Sequence, residues 1–257
     1  PKKTKRRNTM TEIDARQYVA PGTAMHTAIG YTILFIVGPI LIGATVVATM
    51  GIALLGWLIA GIFYFSRLKK ARAALRGSAL RVDQTQLPAI HEQTRDLCAR
   101  LAITEVPEVY VIEDNHQNAF ALKHGAKSYV VLIDDIIHGA LSTGNEKVLT
   151  FILAHELAHH ALGHTGWLRR LVSTSYKPLA RLDEFSCDAV ARALTGEAAA
   201  AKDALTLLLI GPHLFRSIDR AALDKQALEV EGDKYSKKAE YTLSHPLLLR
   251  RYARVMA

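Results

Sequence analysis

From Thr27 to Phe65 the chain is almost wholly apolar, interrupted only by glycine, threonine, tyrosine and a single proline, Pro39. One helix needs about 20 apolar residues to cross a bilayer, and this run is about twice that. The pattern predicts a hairpin of two spans with its turn between Gly43 and Gly51. Phe63, Tyr64 and Phe65 stand just before Arg67, where an interfacial aromatic belt belongs. The competing reading, a cleaved signal peptide, would have an apolar core of only about 7–15 residues, far shorter than this run.

Beyond the run the periodicities become those of a mixed soluble domain. Pro88 opens an amphipathic helix with Leu87, Ile90, Leu97, Cys98 and Leu101 along one stripe. Val109 to Ile112 reads as a strand. Ala119–Leu122 and Tyr129–Ile133 flank a hairpin turn at Gly125. Helices are predicted over Asp135–Leu141, 145–163, 182–194, 198–210 and 244–255, with a polar loop around Glu231 to Lys238; Trp167 with Arg169 and Arg170 reads either as an exposed loop or as a contact with the membrane surface. A small sheet among many helices makes the fold class α+β.

Charge refines this picture. The formal net charge is +8, which by itself suggests an acidic partner. Five basic residues, however, lie within the first ten (Lys2, Lys3, Lys5, Arg6, Arg7), and five more lie at Arg67, Lys69, Lys70, Arg72 and Arg76. Between Arg16 and Arg67 there is no Asp, Glu, Lys or Arg. Outside the two clusters, acids slightly outnumber bases. Basic flanks on both sides of an apolar run place both in the cytoplasm, and only two spans satisfy that. The chain therefore divides into a basic cytoplasmic arm (1–25), a transmembrane helical hairpin (26–66) and a soluble domain (67–257) on the cytoplasmic face of a multi-pass membrane protein. Nucleic acid is not an expected partner; the lipid bilayer is. Two cysteines, Cys98 and Cys187, cannot form a disulfide framework, and Cys187 reads as a small buried packing residue.

The predicted helix at 145–163 carries His155-Glu156-Leu157-Ala158-His159. Residues four apart share a helical face, so both imidazoles can converge on one ion, and Glu156 can reach its open side to take a proton from water. That combination suits one Zn²⁺ per chain. The helix is apolar nearly all round and should be buried, so its polar residues need partners. His160 points about 100° away from His159. His164 falls one residue short of the spacing at which a metzincin places its third histidine. Downstream, Glu184 and Asp188 share a face: one carboxylate can complete the zinc sphere and the other can hydrogen-bond a ligand histidine.

These residues resemble the HtpX-like membrane zinc endopeptidases, a family that includes the CaaX prenyl proteases. The family pattern His-Glu-x-x-His followed by Glu-x-x-x-Asp matches His155, Glu156, His159, Glu184 and Asp188 over a similarity spanning roughly residues 70–257. The resemblance implies a gluzincin-type metalloendopeptidase acting on peptide or protein substrates in the bacterial cytoplasmic membrane. His155, His159 and Glu184 would be the metal ligands, Asp188 would support a ligand histidine, and Glu156 would be the catalytic base. Asn118-Ala119-Phe120-Ala121 is similar to the family's substrate-binding edge strand. Ser244-His245-Pro246 with Arg251 resembles its late element, where His245 would be catalytic by steadying the oxyanion and Arg251 would support it.

The chain departs from HtpX itself, which has further hydrophobic segments between the two zinc motifs. Here residues 160–183 contain Arg169, Arg170, Lys177 and Arg181, so no span fits. The late apolar run Ala204–Phe215 is also too short to span and is interrupted by Pro212. The alternative from a different class is a membrane-tethered zinc-binding protein without peptidase activity, its zinc structural and closed by a fourth side chain such as His160 or Asp188.

Overall fold

The apolar run forms two helical stretches joined by a tight turn. Helices α1 (Thr23–Thr32) and α2 (Gly38–Ala48) continue through a π-helical turn at Ile33–Val37 as one helix, Thr23–Ala48. The wide turn has a cause. Pro39 brings no N–H and crowds the preceding turn, and the Gly38 amide bonds back to the Ile33 carbonyl just before it. The chain reverses at Met50 and Gly51, both at positive φ (50° and 92°), a conformation glycine adopts without strain. It then enters α3 (Ile52–Ser78), and Trp57 Nε1 donates to Thr45 Oγ1 across the turn at 3.4 Å. Apolar side chains on both stretches face outward, Val47 at 79% and Phe63 at 66% exposure.

The computed structural model describes residues 11–113 and 119–256. After α3 come β1 (Leu80–Arg81), α4 (Pro88–Arg100), β2 (Glu108–Ile112), β3 (Ala119–His124) and β4 (Lys127–Ile133). The sheet order is β1-β2-β4-β3, with β2 and β4 parallel and the other pairs antiparallel. The 3–4 hairpin closes where predicted, with His124 opposite Lys127 and Gly125 at φ +62°. Leu87 leaves the expected stripe: it precedes Pro88, which bars it from the helical region, and sits outside the helix at φ +56°.

Helices follow: α5 (Asp134–Ser142), α6 (Lys147–Ala161), α7 (Trp167–Ser175), α8 (Lys177–Thr195), α9 (Ala198–Leu214), α10 (Arg220–Gly232), α11 (Lys234–Ala239) and α12 (Leu248–Met256). The α+β class therefore holds: a mostly helical chain with a small mixed sheet. Two of the expected loops are helical instead. Trp167–Arg170 begins α7. The polar segment 231–238 is the end of α10 and most of α11, split at Asp233, whose carboxylate caps Tyr235 and Ser236. Helix α11 is short and buries no residue, so no apolar stripe betrays it.

Helix α6 is the axis of the core, with Val148 through Ala158 almost continuously buried. Asn145 Oδ1 caps its first turn by accepting from the Lys147 amide at 2.9 Å. Helix α8 packs along it on one side and α9 on another, where Ala200, Ala201 and Ala204 present small faces that allow close approach. By length and composition the segment Ala198–Ser217 joins Thr23–Ala48 as apolar enough to cross a membrane. It is longer than the predicted run because helix begins at Ala198, but its buried alanines and leucines place it in the core. Residues 13–20 do not trail away as an arm. Ile13 N donates to Arg100 O, Ala20 N donates to Ser186 Oγ, and Ala15 and Ala20 are buried.

Helix α1 meets this core at Gly30. A Cβ built there would lie 2.4 Å from Val172 Cγ1 of α7, with Tyr176 and Leu179 close behind. Gly30→Val is expected to lower unfolding stability of the detergent-solubilised chain by about 1–3 kcal/mol through overpacking. Gly56→Val, at a glycine with nothing within 4 Å, should be close to neutral. Equal effects at the two positions would show that the close contact is not sustained.

Candidate active site

Three elements bring the predicted residues together. On α6, His155 and His159 present their rings side by side, centroids 5.1 Å apart, with Glu156 buried beside them. From α8, Glu184 reaches between the rings: its Oε2 lies 3.6 Å from His155 Nε2 and its Oε1 3.5 Å from His159 Nε2. From α12, Arg251 closes the back. It donates through Nε and Nη2 to the two Asp188 oxygens, each at 2.7 Å, and its Nη1 stands 3.1 Å from Glu184 Oε2. Asp188 Oδ1 in turn faces His155 Nδ1 at 2.9 Å.

The donor set fits a zinc ion. Ligand atoms on one tetrahedral zinc with bonds of about 2.1 Å stand about 3.4 Å apart. The two nitrogen–oxygen separations are of that size and long for hydrogen bonds. His155, His159 and Glu184 therefore form a group that could hold a metal. His160 is turned away, its Nε2 on the Tyr129 carbonyl and its Nδ1 on Thr165 Oγ1, both at 3.0 Å.

The electrostatics follow from burial. Desolvation opposes ionisation of Glu184, but the Arg251 guanidinium and the facing histidines outweigh it and hold its carboxyl well below the usual range. Asp188 is lowered in the same way, burial being overcome by Arg251. Burial also disfavours a charged His155, yet the Asp188 and Glu184 carboxylates raise it to about 10. A histidine takes a metal as the neutral ring, so a metal held here would displace a proton from His155. Glu156 is raised, chiefly by burial, as suits a base that must later act as an acid.

A cavity of about 420 Å³ opens over these residues. Ala119, Phe120 and Ala121 of β3 form one wall; Phe151, Ala204, Leu208 and Leu248 make an apolar end. β3 is the outermost strand of the sheet on this side. Asn118 lies outside the described residues. His245 lines the cavity from the segment before α12, its Nδ1 3.2 Å from Glu184 Oε1 and its side chain 67% exposed. That segment is held by Arg181, which donates to the Glu240 and Leu243 carbonyls, and by Glu240, which pairs with Arg250 and accepts from the Leu247 amide. Arg251 also borders the cavity, but its guanidinium is turned onto Asp188 and Glu184 rather than into open space.

Sequence reasoning missed the far side of His159. There His164, Asp183 and Arg169 form a buried chain of contacts, and Cys187 Sγ stands 3.6 Å from His164 Nδ1. The usable signal was Gly163, a helix-stopping glycine immediately before a second histidine. Burial lowers His164 well below its ordinary value and raises Cys187 well above its own, so both are neutral. It also pushes the Asp183 carboxyl up, against the opposing charge of Arg169.

Residues 84–173 match the model of peptidase family M48, a segment that includes His155, Glu156 and His159 but ends before Glu184. Over 138 residues, 53% of this chain, the sequence is 32% identical to proteins named "Protease HtpX homolog" from Burkholderia mallei (strain SAVP1), Burkholderia pseudomallei (strain 668) and Burkholderia thailandensis. The aligned region is 45% of each, so the chain spans about half the length of the curated relatives it matches. No solved structure matches it. Over these segments the chain is similar to the M48 peptidases and, among them, to HtpX-like proteases.

Removing the Arg251 charge tests the buried electrostatics. Arg251→Met leaves two interior carboxylates uncompensated, and metal-free protein is expected to lose about 3–5 kcal/mol in denaturant unfolding. Saturating zinc should recover part of that loss. Unchanged stability would mean that Asp188 and Glu184 are not charged in the folded chain.

Proposed function

We propose that this chain is a membrane-anchored zinc-dependent endopeptidase that cleaves membrane or membrane-proximal proteins from the cytoplasmic side. The observation that carries the reading is the convergence of His155 Nε2, His159 Nε2 and one Glu184 oxygen pair at ligand separations, on the floor of a cleft walled by an edge strand. His155, His159 and Glu184 would hold Zn²⁺, which when bound supplies Lewis acidity toward a water and the scissile carbonyl. Asp188 fixes His155 by accepting from its Nδ1, leaving Nε2 directed to the site.

Along β3, a substrate in extended conformation would add as a further strand beside Ala119, Phe120 and Ala121. Glu156 takes the proton of the attacking water and passes it to the leaving amine. His245, whose pKa is raised chiefly by its hydrogen bond to Glu184, is placed at the cleft to donate to the developing oxyanion. Arg251 acts one step back by holding Glu184 and Asp188. The side chains of His160 and Asp188 are engaged elsewhere, which favours an open catalytic position over a closed structural one. The outward apolar faces of α1, α2 and α3 support membrane anchoring through two spans.

Glu156→Gln is expected to keep one zinc per chain while peptide hydrolysis falls by at least about 10²-fold, the usual worth of a general base. Metal content and cleavage of a fluorogenic peptide by the purified full chain measure the two. A variant that cleaves at the wild-type rate would sink the mechanism.

A further inference from the structure

We propose that His164 is a positioning residue for His159, locking its ring in the tautomer that leaves Nε2 bare toward the metal site. The inference rests on the reading of His155, His159 and Glu184 as ligands.

Local chain geometry brings His164 there. Helix α6 ends in a turn where the Gly163 amide bonds to the His160 carbonyl and the His164 amide to the His159 carbonyl, with Gly163 at φ +76°. This is a Schellman closure, and its left-handed residue folds the chain back over the last turn. As a result His164 Nδ1 stands 3.2 Å from His159 Nδ1, the nitrogen opposite the one that faces Glu184. On its other side His164 Nε2 lies 3.3 Å from Asp183 Oδ1, and Arg169 Nη2 donates to that same oxygen at 2.5 Å. Arg169, Asp183 and His164 are all largely buried.

Hydrogen counting then leaves one arrangement. Asp183 Oδ1 already accepts from Arg169 Nη2, which marks it as an acceptor oxygen, so a His164 ring with one proton carries it on Nε2 and donates it there. Its Nδ1 is therefore a lone-pair acceptor. The His159 Nδ1 facing it must be the protonated nitrogen, which leaves His159 Nε2 without a hydrogen and free to bind metal. The reverse order would aim a bare His164 Nε2 at Asp183 and an N–H at the metal position. His155 receives the same service directly from Asp188. The two ligand histidines are thus oriented by two separate acid–arginine pairs, Asp188 with Arg251 and Asp183 with Arg169.

His159, His164 and Cys187 also lie close enough to be taken for a second metal group. A metal there would need the His159 Nδ1 lone pair, stripping both ring nitrogens of hydrogen, and the thiolate of a fully buried cysteine. The positioning role needs neither.

The test compares full-length wild type, His164→Leu and His164→Asn in detergent. Asparagine keeps an acceptor oxygen where Nδ1 was, and leucine keeps none. Zinc affinity is read by competition with a chromophoric chelator, and the d–d spectrum is read on the cobalt-substituted protein. His164→Leu is expected to bind zinc about 10–100-fold more weakly, the usual consequence of losing such a partner, with a shifted cobalt spectrum. His164→Asn should recover most of the affinity. The inference is overturned if the leucine variant binds as wild type does, or if asparagine fails to rescue while unfolding at the wild-type temperature without metal. A second cobalt with a thiolate charge-transfer band, lost in Cys187→Ala, would also overturn it. Because no substrate is involved, a chain that binds zinc but cleaves nothing would defeat the peptidase reading and leave this comparison standing.

Discussion

Two carboxylates within one turn of α8, both all but inaccessible to water, are the most costly feature of this molecule, and Arg251 is what makes them tolerable. Burying a charge without a partner costs several kcal/mol. Here a planar guanidinium meets Asp188 with two parallel hydrogen bonds and touches Glu184 with its remaining nitrogen. A lysine could not make that set of contacts from one position. Because Arg251 sits on the last helix and the carboxylates on α8, this interaction also ties α12 to α8, beside its apolar packing on α9 and α10. The docking in turn sets the place of the preceding segment and of His245. Fold closure and assembly of the site are therefore one event.

The same logic repeats at smaller scale. Arg181 satisfies two carbonyls of the segment before α12, and Arg250 pairs with Glu240 and Glu231. Three arginines that a composition count would assign to a basic surface are thus interior fasteners. Along the sequence, the net positive charge comes from the two basic clusters that flank the apolar run.

Much of the site was legible because its residues follow a helical period. His155, Glu156 and His159 lie on one helix, and Glu184 and Asp188 share a face of another, so spacing alone predicts convergence within each pair. The hairpin at Gly125 was readable from its turn chemistry. What escaped was held by contacts distant in sequence or by caps. The Arg169–Asp183–His164 chain joins three elements and has no period. Helices α10 and α11 bury few positions to mark them, Leu223 and Ala227 in the first and none in the second. The packing of residues 13–20 against α4 and α8 rests on two backbone hydrogen bonds and two alanines, which no pattern announces.

The contact at Gly30 changes what the apolar helix is for. A tether needs only length and greasiness, and any run of leucines would serve. A helix whose backbone lies against Val172 is constrained in rotation and height relative to the domain it packs on, because among its glycines only Gly30 meets so close a neighbour. Under the proposed anchoring, the angle at which the cleft would face a bilayer is then written into a single missing methyl group.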